Sequence, residues 1–245
     1  MSGHSHAANI AAKKAKTDAA KGKIFTKIGR EIAVAAKSNP DPNTNSKLAD
    51  AIAKAKSANM PNDNIKRCIA KASGELSNAV YEELTYEGYG PAGSAVIIKT
   101  LTDNKNRTVD YVRTTMRKYG GSLGNTGCVS FTFNTVGIIV IERTPDLSED
   151  TVMEYALEAG ADDVITEDDA FVVYTSVQDF SSIRKFLEEK GLNFFEAKIT
   201  MLPQNKITLT GEDVGKFDRL ITALEDLDDV QDVYHNVELP EEEED

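Results

Sequence analysis

The sequence predicts an α+β multidomain protein: an N-terminal three-helix module followed by two ferredoxin-like α/β domains, one inserted in the other. Three observations predict it. Residues 1–74 hold fourteen of the 28 Lys and Arg but only five of the 40 acids, a net charge of +9 against −21 for residues 75–245. Apolar residues recur with a helical period before Gly74, and with mixed strand and helix periods after it. Residues 136–201 run strand, helix, strand, strand, helix, strand, the order of a ferredoxin-like domain.

Ala7–Lys21 is mostly Ala and Lys, good helix formers with little to bury, and is expected to be marginally helical until something binds it. Phe25, Ile28, Ile32 and Ala36 then recur at i, i+3, i+7 and i+11, one face of a helix. At about 100° per residue, Lys23, Lys27 and Arg30 fall on the opposite side as a basic ridge. Ser38–Asn43 breaks this helix, and Ser46 can cap a second, on which Leu48, Ile52 and Ala55 point one way. A third helix follows Pro61, with Ile65, Cys68, Ile69 and Ala72 as its stripe and Gly74 as its stop.

In the body, strands are expected near Tyr81–Glu87, Ala95–Leu101 and Cys128–Phe133. A helix over about 104–119 has Val109, Val112, Met116 and Tyr119 facing inward, and Gly120-Gly121 ends it. The inserted domain reads as strand Val136–Ile141, helix Glu149–Ala159, strands Asp163–Ile165 and Phe171–Tyr174, helix Phe180–Glu189 and strand Phe195–Thr200. Strand Lys206–Leu209, a helix from Glu212 to about Leu227 and strand Val233–Leu239 would complete the split domain. The expected boundaries are 1–76 for the basic helical domain, 77–134 plus 203–240 for the split domain, 135–202 for the inserted one and 241–245 for an acidic tail.

Apolar runs as short as Val136–Ile141 cannot cross a bilayer, and neither a secretory leader nor a metal-like cysteine spacing is seen, so a cytoplasmic protein with no membrane partner is expected. Gly88-x-Gly90-x-x-Gly93 matches the dinucleotide-binding fingerprint, but a strand rather than a helix follows it, so it reads as a turn. Val96-Ile97-Ile98-Lys99 after a glycine loop has a kinase flavour without the catalytic and metal-binding motifs a kinase needs. His4, His6 and His235 offer no catalytic pair. Asp162-Asp163 and Glu167-Asp168-Asp169 admit a metal-dependent phosphodiesterase, though acids at strand ends and turns are usually solvated. No catalytic residue, metal, cofactor or small-molecule substrate is therefore expected.

A cationic module lowers the free energy of a nearby polyanion, so nucleic acid is the expected partner, the competing use of the charge being to clamp the leader onto the protein's own acidic body. Lys13, Lys14, Lys21, Lys23, Lys27 and Arg30 are the expected phosphate contacts. Arg113 and Arg117, one turn apart on the outer side of the 104–119 helix, are secondary candidates beside the reading of a solvated face. The tail at Glu241–Asp245 is either solvated or an occupant of the leader.

Taken in order, Gly3-His4-Ser5, Gly22-Lys23-Ile24-Phe25, Asn59-Met60-Pro61, Tyr86-Glu87-Gly88-Tyr89-Gly90-Pro91 and Leu101-Thr102-Asp103-Asn104-Lys105-Asn106-Arg107-Thr108 resemble the YebC/PmpR family of regulators, which includes the mitochondrial translational activator of cytochrome c oxidase subunit one. The resemblance spans nearly the whole chain. It implies three domains and a regulator of gene expression without established catalysis, acting either on DNA or, on the ribosome, in helping translation past stretches such as proline runs. Ribosomal RNA is the preferred partner and DNA the alternative, because no helix-turn-helix pair is visible and a −21 body is repelled by a long duplex. The chain departs from the family at His6-Ala7, where Lys-Trp is usual, at Ala11, Ala12 and Lys13, where a His-Arg-Lys cluster is usual, and at Ala92, where Gly is usual. The tip thereby loses an aromatic suited to base stacking.

Overall fold

The computed structural model describes residues 18–73 and 80–238, and among these are seven α-helices and mostly antiparallel sheets. Two compact units emerge, one drawn from Met1–Leu76 and Thr135–Thr200, the other from Ser77–Asn134 and Met201–Asp245.

The first unit begins with α1 (Asp18–Ser38), α2 (Ser46–Ser57) and α3 (Asn62–Ser73). The stripe read from the sequence is the core here: Ile28, Ile32 and Ala36 of α1 are buried against Leu48, Ala51 and Ala55 of α2 and Ile65 of α3, with Phe25, Ile52, Cys68, Ile69 and Ala72 at the edge. Asn45 caps α2, its side chain accepting from the Leu48 N–H at 3.1 Å, and donates to the carbonyls of Ala35 and Asn39, so one residue fixes the turn between α1 and α2. Asn59 leaves α2 at φ 58°, a left-handed conformation that Asn tolerates, and turns the chain so that Met60 is buried.

The same unit holds β4 (Phe133–Glu142), α5 (Glu149–Ala159), β5 (Asp163–Thr166), β6 (Ala170–Thr175), α6 (Phe180–Glu189) and β7 (Phe194–Pro203), although β4 and β7 run on into the second unit at their outer ends. Strand order is β5-β6-β4-β7, as the ferredoxin-like order requires. Alternation along β4 sends Ile139 and Ile141 into the core beneath α5 and α6, and Ile138 and Val140 to the opposite face.

In the second unit, β1 (Glu82–Tyr89) and β2 (Ala95–Thr102) form a hairpin around a tight turn at Pro91–Gly93. Then follow α4 (Lys105–Lys118), β3 (Ser122–Leu123), β8 (Ile207–Thr208), α7 (Glu212–Glu225), β9 (Val230–His235) and β10 (Val237–Glu238). The main sheet is ordered β3-β1-β2-β9. This is the same ferredoxin-like order reached by a permuted chain: β2, β3, β1 and β9 occupy the places that β4, β5, β6 and β7 hold in the inserted sheet. Val96 and Ile98 face α4 and α7, while Ala95 and Ile97 pack on the other side against Val129 and Phe133.

Two expectations are corrected. Of the strand expected over Cys128–Phe133 only Phe133 is in a strand, as the first residue of β4; Ser122–Leu123 pairs with β1 instead, and Ser130–Thr132 forms one 3-10 turn before β4. The cause is Glu87, whose carboxylate takes the N–H groups of Gly127, Val129 and Ser130, donors that a strand would have used in its ladder. The strand expected over Val233–Leu239 is broken at Asn236. Its side chain accepts from the Ala95 N–H at 2.8 Å, and beyond it Val237 leaves the main sheet to pair in parallel with Ile207.

Candidate nucleic-acid interface

Along α1 the cations lie where the 3.6-residue period puts them. Lys23 is exposed, and Lys27 and Arg30 are half-buried, on the side of the helix away from Ile28 and Ile32. The helix carries Lys21, Lys23, Lys27, Arg30 and Lys37 against Asp18 and Glu31. Glu31 is met by Lys54 of α2 at 2.7 Å. Lys13 and Lys14 lie outside the described residues, and Lys21 is placed only by its position within α1.

The ion pair between the helical module and the inserted sheet runs against the expected polarity. Asp50 of α2 accepts from Ser181 Oγ at 2.6 Å and from Arg184 Nε at 3.1 Å, both on α6, and Arg184 Nη1 reaches Glu188 at 3.0 Å. The Arg184 side chain is only 7% exposed. A leader acid thus grips a body arginine. Nothing in the sequence marks this pair, since Arg184 sits alone in an ordinary amphipathic helix.

In the second unit, Arg113 and Arg117 are exposed on α4. Arg113 bonds Asp110 at 3.2 Å, one turn back; Arg117 meets no carboxylate among the described residues. Arg107 is committed to structure. Its Nη2 donates to Asp229 and Asp103, each at 2.8 Å, and these bonds raise its already high pKa. Asp229 is 6% exposed, lies 2.8 Å from Thr108 Oγ1 and 3.3 Å from Thr102 Oγ1, and so clasps the start of α4 to the start of β9. The Leu101–Thr108 motif is this clasp, with Asn104 as the helix cap. The structure brings Lys23, Lys27 and Arg30 onto one helix and Arg113 and Arg117 onto another, in different units.

The Gly88–Gly93 motif is also structural. A Cβ on Gly88 would stand 2.3 Å from the Ser122 carbonyl oxygen, so only glycine lets β3 close on β1. Beside it Glu87 is 5% exposed. Burial pushes its pKa up and is the largest single influence, yet the N–H groups of Val129, Gly127 and Ser130 together outweigh it and hold the carboxyl below its ordinary value. Tyr89 Oη donates to the Cys128 carbonyl at 2.9 Å and steadies the same turn.

Asp163 caps its own strand through the Val164 N–H, and the carbonyls of Glu167 and Asp168 accept from Arg143. Among the described residues no group of three or more His, Cys, Asp or Glu side chains is placed to hold a metal ion, and no helix is long and apolar enough to cross a membrane.

A family model described as the TACO1/YebC protein N-terminal domain matches residues 5–75, and one described as the TACO1/YebC second and third domain matches residues 81–237. Over 242 residues, 98% of each protein, the chain is 55% identical to a probable transcriptional regulatory protein of Hathewaya histolytica. It is 56% identical over 238 residues to one of Acetivibrio thermocellus, covering 96% of this chain and 98% of the relative. The crystal structure of a conserved hypothetical protein from Aquifex aeolicus superposes with a TM-score of 0.80 at 43% identity, covering 93% of this chain and 94% of that one.

Proposed function

Because the chain belongs to the TACO1/YebC family, we propose that it is a non-enzymatic regulator of gene expression that binds nucleic acid through its helical module. One observation carries this reading: the chain's positive charge is concentrated in residues 1–74, and within α1 it lies opposite the buried stripe, where a polyphosphate can reach it. We take 1–76 as the binding domain, 77–134 with 203–240 and 135–202 as its acidic α/β support, and 241–245 as a charged tail. The preferred setting is the ribosome in the cytoplasm, with structured RNA as the partner and easier elongation at difficult stretches such as proline runs as the effect. The naming of relatives as probable transcriptional regulatory proteins favours DNA as the second reading.

Reversing Lys23, Lys27 and Arg30 together to Glu in the full chain tests the interface. Binding to ribosomal RNA and to duplex DNA should fall by more than about tenfold at low salt, and the slope of log K against log salt should flatten by about 0.9 for each duplex phosphate no longer neutralised. An unchanged slope refutes the ridge. Sedimentation of the native protein with ribosomal particles, set beside a genome-wide DNA crosslinking map, separates the two settings.

A further inference from the structure

We propose that the outer face of α4 is a second nucleic-acid site, one that takes single-stranded RNA with Tyr111 as a base-stacking platform and Arg113, Arg117 and Lys118 as phosphate contacts. The site presupposes that the chain binds nucleic acid, as proposed above.

Helix α4 turns Thr108, Val112 and Met116 inward and carries five cations against the single acid Asp110. Tyr111 stands on its outer side, 55% exposed, with its hydroxyl making no hydrogen bond among the described residues. A tyrosine is a weaker helix former than the Ala or Lys usual at such a position, and here it buries little in return. The helix dipole accounts for Arg117 and Lys118 in the last turn but gives no reason for an aromatic in the middle. Lys118, two turns on from Tyr111, falls on the same stripe, about 10 Å along the axis. Arg113 and Arg117, about 6 Å apart along that axis, lie about 160° and 120° round the helix from Tyr111, on the far flank of the outer face.

Arg107 spends its charge on Asp103 and Asp229 and Arg113 on Asp110; Lys118 Nζ lies over the Tyr119 ring, 5.3 Å from its centroid, and neither it nor Arg117 meets a carboxylate among the described residues. An exposed aromatic with Lys118 on its stripe and two arginines on the far flank suits a strand that crosses the outer face, its bases unstacked and its phosphates reaching the cations. A duplex is the wrong partner, since its base faces are covered by their neighbours. Sequence preference is expected to be weak, because every base offers a π-face.

The test measures binding of a labelled twelve-nucleotide oligo(U) to the full-length protein by fluorescence anisotropy, with oligo(dT) of the same length as the second arm. Tyr111→Ala should weaken oligo(U) binding at least about fivefold without changing the salt slope, and Tyr111→Phe should keep affinity within about twofold. Arg117→Glu with Lys118→Glu should lower the slope by about 0.7 for each strand phosphate no longer neutralised. Equal weakening in both arms places the recognition on base faces and phosphates; a loss confined to oligo(U) adds a ribose contact. Wild-type affinity in Tyr111→Ala overturns the site while leaving the α1 ridge standing. A native protein that binds ribosomal RNA but no oligo(U) at low salt overturns it as well, whereas one that binds no nucleic acid refutes the functional reading first.

Discussion

Replacing Glu87 with Gln keeps the shape of the side chain but removes its charge and one of its two acceptor oxygens. In the native protein, Oε1 takes the Gly127 N–H at 2.8 Å, and Oε2 takes those of Val129 at 2.9 Å and Ser130 at 2.8 Å. Hydrogen bonds to a charged group contribute about 1.5–3 kcal/mol each, and at least one is lost, so Glu87→Gln should cost about 2–3 kcal/mol. Glu87→Ala, which strands the buried Val129 N–H, should cost about 3–5 kcal/mol. Urea unfolding followed by far-UV circular dichroism measures both, and amide exchange over residues 124–133 shows whether the turn itself has opened. The pH dependence separates the charge from the shape. Because the folded-state pKa is depressed, the stabilisation is complete above the unfolded value of about 4.3 and is lost as pH falls through the folded value. Wild type and Glu87→Gln should therefore differ most near neutrality and converge in acid. A difference below about 0.5 kcal/mol, or one constant from pH 7 to pH 3, would refute the assignment of Glu87 as the anchor of this turn.

Two further perturbations probe the fold. Asp50→Ala leaves the buried Arg184 guanidinium with Glu188 as its carboxylate partner, and should cost about 1–3 kcal/mol, discounted because Asp50 is a quarter exposed. A double-mutant cycle with Arg184→Met should show a coupling above about 0.5 kcal/mol, and additive effects would dismiss the pair. Ala92 sits at φ 54°, where a Cβ is strained, so Ala92→Gly should raise stability by about 0.5–1 kcal/mol, and a thermal shift downward would show that the turn does not feel that strain.

What the sequence disclosed and what it withheld follow from how local the causes are. The α1 stripe of Ile28, Ile32 and Ala36, the extent of α4 and the inserted strand order all depend on neighbours within a few turns or one alternation, and these are legible. The turn at Gly127–Ser130 is not, because apolar Cys128 and Val129 read as a strand until Glu87, 40 residues before Gly127, claims the N–H donors of this segment. Asp50 with Arg184 and Arg107 with Asp229 are separated by 134 and 122 residues, and a lone charge carries no mark of such a partner. At the candidate interface, residue type and helical period locate Lys23, Lys27, Arg30, Arg113 and Arg117. Tyr111 gives no such signal because it lies off the inward stripe, and only the folded helix distinguishes an outward aromatic from one laid over a neighbour.

The permuted sheet bears on how this protein is made. Strand β2 pairs on one side with β9, and Val96 faces His235, a residue 139 positions further along, with the whole ferredoxin-like insertion synthesised between them. A ribosome that has just emitted β1 and β2 has released a hairpin lacking its partner on one flank. The insertion owns all its strands and can mature on the tunnel side of that delay. Ile97 and Ile98 must meanwhile await β9, so a premature stop shortly before Val230 would yield a molecule with one finished half and one permanently open seam.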